Sequence, residues 1–290
     1  MFDFRYHVVS LAAVFIALLL GILIGAGISG RGVLDEAERL RLTAEIDRLG
    51  RELEAARARS AEELAAQQYL EETYDVVMED RLADRAIAFV FVGEFQRGVH
   101  GHVVDAVTAA GGRPVRMRAL DVPVDPDRLE TALIADEELA PLAGAENLGE
   151  LGRRLGEELV AGGETPLWDA LSPLLVIEVS GPSVPADAVV VARTAGEPAD
   201  DEATQRFLDG LYSGLASTVP AVAVETTGRQ PSLIDDFRRT NLSSVDNVDH
   251  DVGRVALAVL LAGGPVGHYG IRDGAVPIPP VEPVPPRDDE

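Results

Sequence analysis

Residues Val8 to Ile28 read VVSLAAVFIALLLGILIGAGI, twenty-one consecutive positions without a charge. As a helix rising about 1.5 Å per residue, this run is roughly 31 Å long, close to the hydrocarbon thickness of a bilayer. The rest of the chain is too charged to follow it into lipid. The expected arrangement is therefore a single-pass membrane anchor, residues 1–30, carrying a large water-soluble body. A cleaved signal peptide is the alternative, and Gly25-Ala26-Gly27 offers a small-x-small site for it, but its apolar region normally runs only about 7–15 residues. Flanking charge leaves the orientation open, with Asp3 and Arg5 before the run and Arg31, Arg39 and Arg41 after it. Ala17, Gly21 and Gly25 recur every fourth position, the small-residue spacing that lets two transmembrane helices approach closely.

A net charge of −24 over 290 residues excludes a nucleic-acid partner, which needs a basic footprint. There is no cysteine, so disulfides, thiol catalysis and thiolate metal sites are excluded. All 25 basic residues are arginine.

Residues 31–85 predict a coiled-coil stalk. From Leu34 to Asp84 the only glycine is Gly50, and Ala, Glu, Arg and Leu dominate. Leu42, Ile46, Leu49, Leu53 and Ala56 step by four and three, a heptad seam. The seam weakens at Ser60 and Glu63 and resumes in another phase at Leu70, Tyr74 and Val77, like a stutter. A helix this polar needs a covering surface, so the seam predicts self-association or a partner protein, with a lone helix lying on its own domain as the alternative.

From Ala86 the periodicity changes. Apolar runs Ala86–Val92, Val115–Ala119, Leu174–Val179, Ala188–Ala192 and Val219–Val224 read as buried strands. Helical patterns at Val99–Ala110, Leu129–Leu139, Leu148–Val160, Thr204–Ser217 and Val252–Leu261 alternate with them. The fold class is α/β: an N-terminal transmembrane helix, a long coiled-coil helix, then a doubly wound, mostly parallel Rossmann-like sheet over residues 86–270. Residues 271–290 predict a disordered or polyproline-like acidic tail.

Motifs for chemistry are sparse. Gly93-Glu94-Phe95-Gln96-Arg97-Gly98 follows the first strand without the G-x-G-x-x-G spacing, and Glu94 would oppose a phosphate. A phosphate-binding G-x-x-x-x-G-K-[ST] loop is excluded by the absence of lysine. Ser180 and Ser183 follow a strand but lack a nucleophile elbow. No catalytic or cofactor-binding residue is assigned, and the chain reads as a non-enzyme. His100 and His102 are the only close histidine pair and the one candidate start of a metal site, with copper as the candidate ion. Asp246, Asp249 and Asp251 cluster before the last helix, where Asp249 or Asp251 suits an N-cap better than a cation ligand.

The short N-tail and His7–Phe15 anchor, the charged helix, Ser244–Asp249, Gly253–Ala258 and Gly267-His268-Tyr269-Gly270 together resemble the actinobacterial MctB/SteB-like copper-transporter family. The resemblance covers most of the chain and stops at Gly270. It implies an extracytoplasmic body in the cell envelope and a role in copper homeostasis, as an envelope copper channel. For the corynebacterial branch it implies instead a coiled-coil partner in cell separation that activates a peptidoglycan hydrolase.

Three functions stay open. The long helix on an anchored body suits an envelope scaffold or activator. Copper transport would need histidine chemistry, since Cu(I) selects thiolates and thioethers and only Met1, Met78 and Met117 supply sulfur. A small-ligand-binding α/β domain would be favoured by a pocket beside Gly93 at the strand ends.

Overall fold

A computed structural model describes residues 4–29, 33–194, 201–240 and 242–284. Side chains 4–10, 26–29, 33–38, 63 and 67 lie outside the described set. The flanks of the apolar run, the Ala26-Gly27 part of the cleavage motif, Glu63 and residues 285–290 of the tail therefore fall wholly or partly outside it. The chain divides into two compact units, residues 1–68 and 69–290.

The first unit is helical. Helix α1 runs Phe4–Ser29, and α2 begins at Val33 and continues to Met78 in the second unit. Fifteen side chains of α1 are described, residues 11–25, all exposed. Among the described residues, no helix is long and apolar enough to cross a membrane. Helix α2 has 46 residues and a length of about 69 Å.

The second unit holds a seven-stranded sheet in the order β3-β2-β1-β4-β5-β6-β7. The strands are β1 Ala86–Val92, β2 Arg113–Leu120, β3 Val176–Ser180, β4 Ala188–Arg193, β5 Ala221–Val224, β6 Ser243–Val245 and β7 His268–Tyr269. All neighbours pair in parallel except β2 and β3. The alternation of each strand splits the core in two. Ala88, Val90, Val92, Val189 and Val191 pack against α4 (Pro126–Ile134), α5 (Leu148–Ala161), α6 (Pro166–Leu175), α7 (Glu202–Leu215) and α8 (Ile234–Arg238). Ile87, Phe89, Phe91, Val190 and Val222 face α3 (Arg97–Ala109) and α9 (Asp251–Leu261). Burying both faces explains why these strands read as unbroken apolar runs.

Met78 and Leu82 are buried in the second core, with Tyr74 and Val77 packed beside them. The shifted apolar phase at the end of α2 thus has a cause: that stretch covers its own domain.

Two expectations are corrected. The run at Leu174–Val179 is not a buried parallel strand. Its first residues close α6, which carries Pro173 inside it, and β3 is an exposed antiparallel edge with Ile177 and Val179 in solvent. The cap of α9 is His250, without a side-chain bond, rather than Asp249 or Asp251. The tail is described as far as residue 284, and two bonds join it to the body: the Val276 N–H donates to the His268 carbonyl, and Arg81 Nη1 donates to the Glu282 carbonyl at 3.2 Å.

Candidate functional site

Strand β1 is the point where the winding reverses: β2 pairs on one side of it and β4 on the other. In open parallel sheets the crevice beyond the carboxyl ends of strands at such a point is where ligands bind. A cavity of about 210 Å³ lies there. Gln96 and Val99 of α3 border it, with Arg193 and Thr194 from the end of β4 and Glu225 and Arg229 from the end of β5. Gly93, at φ +89°, turns the chain from β1 toward α3, and its N–H donates to the Leu120 carbonyl at 2.9 Å. The expected opposition of Glu94 to an anion does not arise within the cavity, because Glu94 is exposed and outside its lining.

Two charged residues of this lining are unusually enclosed. Arg193 is 8% exposed, and its Nη1 donates to Asp236 Oδ2 at 3.2 Å. The Glu225 side chain is fully buried. Its carboxylate accepts from Ser232 Oγ at 2.9 Å and from the Leu233 N–H at 2.5 Å. Arg229 Nε and Arg272 Nε stand 3.5 and 3.6 Å from its two oxygens. The Nε atoms of Arg193, Arg229 and Arg272 are buried without a hydrogen-bond acceptor among the described residues. Burial holds the Arg229 guanidinium below the usual arginine range, Glu225 pulls it back, and the Arg193 and Arg272 charges push it down further. Two guanidiniums thus face the Glu225 carboxylate, and a third, Arg193, is paired with Asp236 beside them.

The acidic cluster before α9 is spent on loops. Asp246 accepts from the Ile271 and Arg272 N–H groups at 2.8 and 3.0 Å. Asp249 Oδ1 accepts from the N–H and hydroxyl of Thr227 at 2.8 and 3.1 Å, which ties the β5 loop to the β6 loop.

The structure does not bring His100 and His102 onto one point. Two positions apart on a helix are about 200° apart around its axis. His100 sits among the rings of Phe89, Phe91 and Phe95, and this burial lowers its pKa below the ordinary imidazole value. His102 Nδ1 lies 3.1 Å from Arg254 Nη2 on α9. One ring is thus enclosed by apolar groups and the other meets a guanidinium. No group of three or more His, Cys, Asp or Glu side chains able to hold a metal occurs among the described residues.

The seam residues stand open: Leu42, Ile46, Leu49 and Leu53 are each more than half exposed. On α1, Ala17 is exposed, and a Cβ added at Gly21 or Gly25 would meet nothing within 4 Å. Arg193, Glu225 and Arg229 escape a motif-based reading. The available signal is a charge that closes an apolar strand, as Arg193 does after Val189–Ala192 and Glu225 after Ala221–Val224.

A family model described as "Copper transport outer membrane protein, MctB" matches residues 1–280. Relatives named "Copper transporter MctB" in Mycobacterium bovis and in two strains of Mycobacterium tuberculosis are each 26% identical over 323 aligned positions. The alignments cover 96% of this chain and 99% of each relative.

Proposed function

The chain belongs to the MctB family, and from that premise we propose a non-enzymatic, membrane-anchored envelope protein that serves copper transport by assembling through α2. Copper transport is preferred to the scaffold of cell separation because the names of the family and the relatives speak of copper transport, and none speaks of cell separation or hydrolase activation. The Val8–Ile28 run supports a single-pass anchor, and the family description supports an extracytoplasmic body.

The observation that carries the reading is the open seam. Leu42, Ile46, Leu49 and Leu53 align on one face of α2, each exposed by 51–67%. Covering one such side chain is worth roughly 1.5–3 kcal/mol. A second copy of α2 supplies the same stripe. The alternative, that a single copy handles copper through its own side chains, finds less support. Met78 and Met117 are core residues, and the two histidines of α3 face different neighbours.

Replacing Ile46 and Leu49 together with Asp puts charge into the seam. In the detergent-extracted full chain, light scattering should show the parent as an oligomer and the double variant as a monomer. Both should show the same melting transition for the α/β body. In cells dependent on this protein for copper tolerance, the double variant should lose that tolerance. A monomeric parent, or full tolerance with a monomeric variant, contradicts the proposal.

A further inference from the structure

We propose that the cavity at the ends of β1, β4 and β5 binds a small phosphate-type oxyanion, either inorganic phosphate or the phosphoryl end of a small phosphomonoester. The inference stands independently of the assembly reading, because no seam residue takes part in it.

Four observations converge on that chemistry. The cavity lies at the switch point of the sheet, outside the carboxyl ends of parallel strands. The first turn of α3, a helix of 13 residues, borders it through Gln96 and Val99, and the Gln96 side chain does not cap that turn. First-turn N–H groups have no partner within their helix and favour an anion. Arg193, more than nine-tenths buried and paired through Nη1 with Asp236, and Arg229, paired with Glu225 at 3.5 Å, both line the cavity, and each keeps a buried Nε–H without a hydrogen-bond acceptor among the described residues. The one carboxylate in the lining, Glu225, already accepts from Ser232 and Leu233 and faces Arg229 and Arg272. Arg193 and Arg229 thus give an acidic chain two enclosed guanidiniums at one small hollow, each with an Nε–H still to be met.

Shape and charge narrow the ligand. Sites for drug-sized ligands run about 300–1,000 Å³, and about 210 Å³ is too little for a nucleotide but ample for one phosphoryl group. Two guanidiniums suit an oxyanion that presents several acceptor oxygens, which arginine engages in paired hydrogen bonds. Space for a short substituent remains beside Gly228, where an added Cβ would meet nothing within 4 Å.

The test uses the full chain in detergent, titrated with inorganic phosphate, glycerol 3-phosphate and acetate by calorimetry. Phosphate or the phosphomonoester should bind saturably, and Arg229→Gln should weaken binding by about tenfold or more. Arg193→Gln should act in the same direction. Exposed Arg154 on α5, outside the lining, supplies Arg154→Gln as a variant that should leave affinity unchanged. Tighter binding of glycerol 3-phosphate than of phosphate assigns the site to a phosphomonoester, and the reverse assigns it to free phosphate. Should the Arg229 or Arg193 variant fail to fold, the parent chain decides: phosphate should protect Arg229 from phenylglyoxal, read by mass spectrometry. Absence of saturable binding overturns the proposal. So do acetate binding as tight as phosphate, unchanged affinity in folded Arg229→Gln, or unprotected Arg229.

Discussion

Gly152→Ala should cost the α/β body about 3 kcal/mol or more, near or beyond the upper end of ordinary overpacking. Helices α5 and α7 meet backbone to backbone. A Cβ built on Gly152 would stand 2.1 Å from the Phe207 carbonyl oxygen, and one on Gly210 would stand 2.0 Å from that of Gly149. The atoms in the way are main chain, so no rotamer change relieves them and the helix axes must part. Parting them loosens Leu151, Leu155, Phe207 and Leu211, all buried in the same core. For a unit of this size the melting temperature should fall by roughly 6–12 °C. Gly50, on α2 with nothing within 4 Å of an added Cβ, provides the contrast: Gly50→Ala should leave the melting of the body unchanged. Thermal unfolding by circular dichroism checks both. A Gly152→Ala chain that melts with the parent would mean that α5 and α7 are not in this contact.

Glu225→Ala should be the second large loss, about 3 kcal/mol, the low end for removing one partner of a buried ion pair. Arg229 and Arg272 keep some solvent access, with side chains 13% and 20% exposed, which moderates the cost. The loss has two parts: uncompensated guanidiniums, and a Leu233 N–H without its acceptor. Glu225→Gln keeps an acceptor but removes the charge, so it should fall between the parent and the alanine variant. Denaturant midpoints for the three chains check the order. Equal stability of the glutamine and alanine variants would mean that the charge, and not the hydrogen bonds, supplies the whole effect.

Much of the fold is legible in the sequence because buried parallel strands leave unbroken apolar runs. Ala86–Val92 and Ala188–Arg193 are such runs, and both are inner strands. Where burial is one-sided or the strand is very short, the signal fades. The β6 residues Ser243–Val245 and the β7 pair His268–Tyr269 carry little apolar pattern, yet extend the sheet by parallel pairing. Helix α6 is hidden by Pro166 at its start and Pro173 inside it. The phase change along α2 is visible in the sequence, but its cause is not: the second phase serves the body through Tyr74, Val77 and Met78. The strand-end cavity is legible as a place, since the topology fixes where the winding reverses. Its residues are not, because Arg193, Glu225 and Arg229 come from two separate strand ends and form no linear motif.

Assembly through one face of α2 can be read directly by crosslinking because the chain has no cysteine of its own. Single cysteines placed at Ile46, Leu49 and Leu53 are to be compared with one at Arg48, which pairs with Glu45 and Glu52 on the exposed helix surface. Membranes carrying each full-length variant are treated with diamide, and the fraction of disulfide-linked dimer is measured on non-reducing gels. Strong crosslinking is expected at Ile46→Cys, Leu49→Cys and Leu53→Cys and little at Arg48→Cys, following the four-three spacing of the seam. Crosslinking equal at all four positions, or absent at all of them, would contradict assembly through that face.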